Sequence, residues 1–211
     1  MATITVVIAS YRYGHLISQA IESILSQTKR PDKILVVDDG IGDVKVHADR
    51  YGIECIERER NLGTVENFQD ILMNRVESDR VLFLGADNWL RQDALELMSR
   101  QNADIVSSDI AITGELGDIF AQRNNIIEVM SGYKIWRFIE KDINKGNYIH
   151  GSSLYNVDLA KKVGGYEANP NGINTEEDWM LWKKMLQEGA SHIHIKEPLL
   201  YYRRHQMNFI K

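Results

Sequence analysis

Short apolar runs alternate along the first hundred residues with segments whose apolar positions recur three to four apart. Thr3 to Ala9 is apolar through Ile4, Val6, Val7, Ile8 and Ala9. It reads as a buried strand that stops at the polar, aromatic loop Ser10-Tyr11-Arg12-Tyr13-Gly14. Leu16, Ile17, Ala20, Ile21, Ile24 and Leu25 then fall on one face of a helix that ends near Thr28, with Pro31 blocking extension. Ile34-Leu35-Val36-Val37 is a second buried strand, ended by two adjacent acids, Asp38 and Asp39, and by Gly40. Strand, helix and strand in this order form a βαβ unit with parallel strands.

The same texture repeats more loosely. A short strand is expected over Tyr51–Ile56, a turn at Asn61-Leu62-Gly63, and a helix marked by Val65, Phe68, Ile71 and Leu72. Arg80–Leu84 reads as a buried strand running into Gly85-Ala86-Asp87-Asn88-Trp89, Asp93–Gln101 as a helix and Asp104–Ser108 as a strand. Beyond Asp109 the period weakens. Thr113–Asn125 reads as a loop or irregular hairpin, Tyr133–Lys141 as a helix holding Trp136 and Ile139, and Tyr148–Tyr155 as a strand. Asn156 is placed to cap a short helix closed by Gly164-Gly165. Thr175 is placed to cap a helix bearing Trp179, Trp182, Met185 and Leu186, and Ser191–Ile195 and Leu199–Tyr202 are expected strands. The pattern predicts an α/β protein with a mainly parallel sheet, divided at 1–109 and 110–211 into two halves of one domain.

Composition narrows the class. An apolar fraction of 44% supports a sizeable core, and a net charge of -5 argues against a polyanion held along a broad face. Nucleic acid is therefore disfavoured as a partner, although Arg123, Lys134, Arg137, Lys141 and Lys145 leave a local basic patch open. The single cysteine, Cys55, excludes an intrachain disulfide and fits a reducing compartment. No apolar run approaches the roughly 18–20 residues of a membrane span. The N-terminus lacks a signal-peptide pattern, so the expectation is a soluble, cytoplasmic protein.

Three polar strand ends carry candidate chemistry: Ser10-Tyr11, Asp38-Asp39 and Asp87-Asn88. In one parallel sheet they open on the same edge, where such sheets bind ligands. That edge has no Walker pattern and no G-x-G-x-x-G, so a phosphate-bearing ligand needs charge neutralisation from a metal held by an oxygen ligand such as Asp87. Asp39 suits hydrogen bonds from a nucleobase N–H or a ribose hydroxyl. Glu176-Glu177-Asp178 starts a helix, where acids favour the dipole; the functional alternative is a general base. His192 and His194 alternate with Ile193 and Ile195 and read as a solvated face rather than a metal pair. Ser152 and Ser153 lack a nucleophile elbow, and Trp179 and Trp182 read as core, with a sugar-site floor as the alternative.

Taken together these motifs resemble glycosyltransferase family 2, with its GT-A fold. The resemblance is carried by Val6-Val7-Ile8-Ala9-Ser10-Tyr11, Ala20-Ile21-Glu22-Ser23-Ile24-Leu25-Ser26-Gln27-Thr28, Val36-Val37-Asp38-Asp39-Gly40 and Asn61-Leu62-Gly63. It continues through Gly164-Gly165-Tyr166, Glu177-Asp178-Trp179 and Tyr202-Arg203-Arg204-His205, in the family's order.

The resemblance implies inverting transfer of a sugar from a nucleotide diphosphate donor, a UDP-sugar foremost, to an acceptor it does not identify, with Mn2+ or Mg2+. It implies donor contacts at Ala9, Ser10, Tyr11, Asp38, Asp39, Asn61, Asp87 and Arg204, metal ligation by Asp87 and His205, and Asp178 as base. Two departures stand out. Where the family commonly has Asp-x-Asp-Asp, this chain has Gly85-Ala86-Asp87-Asn88, leaving Asn88 a carbonyl oxygen to offer. Where an arginine is usual after Asn61-Leu62-Gly63, it has Glu66-Asn67. The rival readings are a catalytically silent domain that binds nucleotide-sugar or glycan, and a nucleotidyltransferase. The latter needs a basic, Gly-rich first loop, and Ser10–Gly14 supplies only Arg12.

Overall fold

A computed structural model describes residues 2–138, 142–172 and 175–208. The elements in order are β1 (Ile4–Ser10), α1 (Ile17–Leu25), β2 (Lys33–Asp38), α2 (Lys45–Arg50), β3 (Glu54–Glu57), α3 (Thr64–Asn74), β4 (Arg80–Gly85), β5 (Trp89–Leu90) and α4 (Ala94–Ser99). They continue as β6 (Ile105–Thr113), α5 (Gly117–Arg123), β7 (Val129–Met130), β8 (Tyr133–Trp136), β9 (Leu154–Asn156), α6 (Val157–Lys162), α7 (Glu177–Gln187) and β10 (His192–Arg203).

All strands join one sheet in the order β3-β2-β1-β4-β9-β6-β10-β5, with β8 on β6 and β7 on β8. The pairs β2–β3, β1–β2 and β1–β4 are parallel, as the βαβ pattern requires. Beyond β4 the sheet is mixed: β9 is antiparallel to β4 and β6, and β10 is parallel to β6. This is the GT-A arrangement. The 109/110 division expected from sequence texture falls inside β6, so the two halves share a strand.

Alternation along the strands builds two apolar layers. Ile4, Val6, Ile8, Val36, Leu82 and Leu84 face α1, α2, α4 and α5. Val7, Leu35, Val37, Val81 and Phe83 face α3, α6 and α7. Trp182 of α7 is fully buried against Tyr155, their rings edge-to-face at 5.2 Å, which settles Trp182 as core. The register sets Ser10 beside Asp38, and Ala9 beside both Val37 and Gly85, so the three strand ends lie level on one edge.

The second half departs from its sequence texture. The strand expected at 104–108 runs on to Thr113, because its polar Ser107, Ser108 and Asp109 are buried against partners far along the chain. Thr113–Asn125 contains α5, anchored by the buried Gly117 and Ala121. The expected helix over Tyr133–Lys141 is instead a hairpin of β7 and β8; residues 139–141 lie outside the described set. Ser131 (φ 50) and Gly132 (φ 85) both adopt the left-handed conformation that two-residue hairpin turns demand. Of the expected 148–155 strand only Leu154 and Tyr155 form one, as the start of β9, which ends at Asn156.

Helix α2 and strand β5 were not apparent in the apolar period. The two late strands merge into β10, whose register shifts flank Pro198, a residue with no N–H for the ladder. Asn156 caps α6 as expected, accepting the Leu159 N–H at 3.0 Å. Thr175 does not cap α7: the N-cap is Glu176, at φ 45, and the Thr175 hydroxyl bonds the Glu177 carboxylate.

Gly40 marks the tightest approach at the ligand-bearing edge. Its φ is +84, and a Cβ there would stand 2.3 Å from the Arg60 carbonyl carbon and 2.4 Å from the Asn61 nitrogen. Gly42 has φ +80 but open space around it. Gly42→Ala is therefore expected to cost about 1–2 kcal/mol from conformation alone. Gly40→Ala carries the same conformational cost plus a backbone collision, and chemical denaturation should find it clearly the less stable of the two.

Candidate active site

A cavity of about 590 Å³ and another of about 440 Å³ open on this edge. The smaller is lined by Ala9, Ser10 and Tyr11 from the end of β1, Asp39 after β2, and Asn61, Gly63 and Thr64 leading into α3. Tyr13, Asn67, Phe68, Gly85 and Thr175 complete it. Of the sequence-predicted donor contacts, it gathers Ala9, Ser10, Tyr11, Asp39 and Asn61. The Ser10 hydroxyl is buried at this wall without a hydrogen-bond partner among the described residues, a polar atom left for a ligand to satisfy. Tyr11 is 37% exposed at the rim.

Asp39 shapes the cavity as well as lining it. Its Oδ1 accepts the Leu62 N–H at 2.9 Å and its Oδ2 the Gly63 N–H at 3.1 Å, leaving further lone pairs toward the cavity. Asp38 stands elsewhere. It is buried and accepts the N–H groups of Ile41, Gly42 and Asp43 at 2.8, 2.9 and 3.0 Å, so it braces the following turn and does not line the cavity. Arg204 is also displaced from its expected place. Its guanidinium lies 4.4 Å from the Phe120 ring and donates to the Tyr202 hydroxyl at 3.0 Å, while its neighbour Arg203 lines the larger cavity.

Asp87 and His205, 118 residues apart, meet with Oδ2 and Nε2 at 3.3 Å. Asp87 is buried; desolvation raises its pKa, and the His205 hydrogen bond opposes that. The Asn208 amide also donates to Oδ2, at 3.0 Å. Gly85 brings no ligand: a Cβ there would meet Asp87 Oδ1 at 2.8 Å and Asn88 Nδ2 at 2.9 Å, because those side chains fold over it. The carbonyl that Asn88 was expected to offer is engaged, accepting the Arg203 N–H at 2.9 Å. Among the described residues no cluster of three or more His, Cys, Asp or Glu can hold a metal. The pair that remains, one carboxylate and one imidazole, suits a divalent ion that takes its other ligands from a diphosphate and water.

Asp178 opens α7, just beyond Thr175 on the cavity wall. Asp178 is half-buried, and desolvation, joined by the neighbouring Glu177, pushes its pKa up to about 7. Hydrogen bonds from the Trp179 N–H (2.7 Å to Oδ1) and from Asn147 act the other way. Trp179 is tied to the adjoining loop by its indole N–H, which donates to the Ile143 carbonyl at 2.7 Å.

His192 and His194 do not form a solvated face. Ile193 is the exposed residue, and both imidazoles turn inward onto Ser107, at 2.8 and 2.9 Å from its hydroxyl. His194 also meets Asp109 at 2.8 Å, and Arg137 bonds the other oxygen of Asp109 at 2.5 Å. Sequence reading missed Asn67 and Phe68 as cavity residues. The available signal was an asparagine on the helical stripe that carries Thr64 and Ile71.

The chain's likenesses agree with this geometry. It resembles S. aureus TarS, residues 1–349 in complex with UDP-GlcNAc, at a TM-score of 0.72 and 15% identity, over 98% of this chain and 60% of that one. The same protein in complex with UDP gives 0.70 and 16%, over 96% and 60%. A mannosyltransferase, PcManGT from Pyrobaculum calidifontis in complex with GDP-Man and Mn2+, gives 0.67 and 16%, over 99% and 59%. The chain thus spans about 60% of the length of these solved structures. No curated protein sequence matches it significantly. The profile of glycosyl transferase family 2 matches residues 5–164, from β1 through α6, leaving Asp178 and His205 to the chain's own geometry. With that profile running through every strand end that builds the smaller cavity, the chain belongs to glycosyl transferase family 2.

Proposed function

We propose that this chain is an inverting glycosyltransferase that moves a sugar from a nucleotide diphosphate donor, a UDP-sugar foremost, to an acceptor hydroxyl with the help of Mn2+ or Mg2+. The observation that carries the reading is the smaller cavity. Its lining includes Gly85, two residues before Asp87, and Thr175, three residues before Asp178, so the residues proposed for the cation and the base lie close along the chain to its wall. The solved likenesses bound to UDP, UDP-GlcNAc and GDP-Man support a nucleotide-sugar donor.

In this reading Tyr11 and Asp39 hold the nucleoside, and the Ser10 hydroxyl gains its missing partner. Asp87 and His205 would hold the cation, which would take the place of the Asn208 amide on Asp87 Oδ2. The bound ion supplies charge compensation for the diphosphate as the glycosidic bond breaks. Asp178 takes the acceptor proton while the acceptor oxygen bonds to the anomeric carbon. The bonding electrons leave with the diphosphate on the opposite face, which inverts the configuration.

Release of UDP from a panel of UDP-sugars, with Mn2+ and candidate acceptors, tests the whole. Asp178→Asn is expected to lower kcat by about 10²–10⁴; a variant as fast as wild type would sink the assignment. A base with a pKa of about 7 works ionised, so the rate should rise with pH and level off above that value, dropping about tenfold per pH unit below it.

Calorimetry should find UDP binding tightened by Mn2+ and the tightening lost in Asp87→Ala. Equal affinities with and without the ion would count against the Asp87–His205 site. The silent-domain reading is favoured by the engagement of Asn88 and Asn208 in internal hydrogen bonds. Tight UDP binding without turnover of any donor would establish it instead.

A further inference from the structure

The larger cavity, of about 590 Å³, adjoins the one proposed for the donor. Tyr13 lines the smaller; its ring meets His205 edge-on at 5.4 Å and its hydroxyl donates to the Met207 carbonyl at 2.9 Å. His205 and Met207 both line the larger, so Tyr13 stands between the two. At Thr113 and Gly114 the larger cavity meets a third, of about 240 Å³, that reaches Lys134.

Arg203 sets the character of this space. It lines the cavity with its guanidinium carbon 5.0 Å from the centre of the Trp89 ring, and Trp89 is in turn stacked on Tyr201 at 5.2 Å. The guanidinium donates to a neutral group, the side-chain carbonyl of the exposed Gln19, and its Nε is buried without a partner among the described residues. Asp87 feels its charge, but no described carboxylate pairs with it. The other half-buried arginines are all paired: Arg58 with Asp70 at 2.5 Å, Arg91 with Asp93 at 2.6 Å, and Arg137 with Asp109 at 2.5 Å. A stacked guanidinium left uncompensated attracts an oxyanion, which its fork of N–H groups binds bidentately. His15 and His205 add imidazoles to the lining. Glu115 is the acid on it, and its carboxylate accepts the Gln206 N–H at 3.3 Å.

We propose that the larger cavity holds the acceptor, and that the acceptor carries an oxyanion, a phosphate ester or a carboxylate, which Arg203 binds. The inference rests on the proposed glycosyl transfer in calling this ligand the acceptor; the anion site stands apart from it. Ligand sites commonly enclose about 300–1,000 Å³, so the oxyanion is one substituent of a larger molecule that fills the rest of the cavity. The oxyanion takes the place of the Gln19 carbonyl, whose exposed side chain returns to water at little cost. A neutral sugar would leave the guanidinium charge uncompensated.

The test uses the full chain with UDP and Mg2+ at saturation, so that the donor cavity is filled. Glycerol 3-phosphate and glucuronate are titrated by calorimetry beside glycerol and glucose. The Arg203 Nε–H signal is followed by 15N NMR, assigned by its loss in Arg203→Lys. At least one anion is expected to bind about tenfold or more tighter than its neutral counterpart and to move that signal, the size of a charge-assisted hydrogen bond. Arg203→Gln should erase the difference and leave UDP affinity unchanged. Arg203→Lys, which keeps the charge without the fork, should restore part of it.

Anions that bind no tighter than the neutral compounds overturn the inference. So does an Arg203→Gln variant that loses as much affinity for UDP as for the anion, which would assign Arg203 to the donor's diphosphate. If Arg203→Gln fails to fold, an Arg203 signal unmoved by high concentrations of either anion overturns it as well. Anion binding at Arg203 with no turnover of any donor would instead sink the proposed transfer and leave the anion site in place.

Discussion

The donor-side edge depends on one covalent neighbourhood, Asp38-Asp39-Gly40, in which two carboxylates take up backbone N–H groups that no strand or helix can satisfy. Asp38 gathers the N–H groups of residues 41–43, and Asp39 those of Leu62 and Gly63, so two turns far apart in sequence are pinned to the end of β2. Buried N–H groups left without acceptors cost about 1–3 kcal/mol each, so replacing either acid does more than remove a ligand contact. Gly40 makes the arrangement possible, because residues 60–61 pass where any side chain would stand. The wall that carries Asn61 is therefore set by the same acid that lines the cavity. Cavity shape and local stability are coupled at Asp39.

A second polar device serves the other half. Ser107, Ser108 and Asp109 sit fully buried on β6, where an apolar strand would be unremarkable. Their partners arrive from elsewhere in the chain: His192 and His194 from β10, His150 from the loop before β9, and Arg137 beyond β8. Burial drives the pKa of His150 down to about 3 and that of His192 to about 4, so both are neutral at ordinary pH. Arg137 and His194 together satisfy Asp109. The network joins β6, β10 and the loop before β9, so buried polar contacts tie the first and second halves of the chain together.

How much of this was legible follows from where each signal is stored. The first half could be read because its parallel strands are buried on both faces and its helices carry one clear stripe. Local sequence and tertiary packing agree there. The strand ends were legible as a polar edge, since acids and a serine at apolar termini mark where buried strands stop. The errors cluster where a distant partner decides the local state. Ser107–Asp109 reads as a strand end unless two histidines are known to arrive 85 residues later. Tyr133–Trp136 carries a helix-like period, but Ser131 and Gly132 in left-handed conformations turn it back on β7. The alternation of His192 and His194 with isoleucines fixed their common face but not which face was inside. Asp38 and Arg204, expected at the donor, line neither cavity for a similar reason. Adjacent residues on a strand end point to opposite sides, and only Asp39 and Arg203 reach cavities.

Asp87 and Asp178 show how one physical cause, burial of a carboxyl group, leads to two different uses. Both are pushed toward protonation by desolvation. Asp178 has Glu177 beside it and the Trp179 N–H on one oxygen, and a pKa of about 7 suits the base proposed for it. Asp87 has an imidazole and an amide, and it lies where a diphosphate would bring more negative charge. Two like charges about 4 Å apart repel by roughly 4 kcal/mol in a protein-surface environment, so anion and carboxylate coexist only with a cation between them. A site with three carboxylates binds the cation harder but imposes a larger repulsion when the cation is absent. With Gly85 and Asn88 in place of acids, this chain lowers both effects together. Under the proposed function, the departure from the family pattern would shift affinity from the protein–cation contact toward the cation–diphosphate contact.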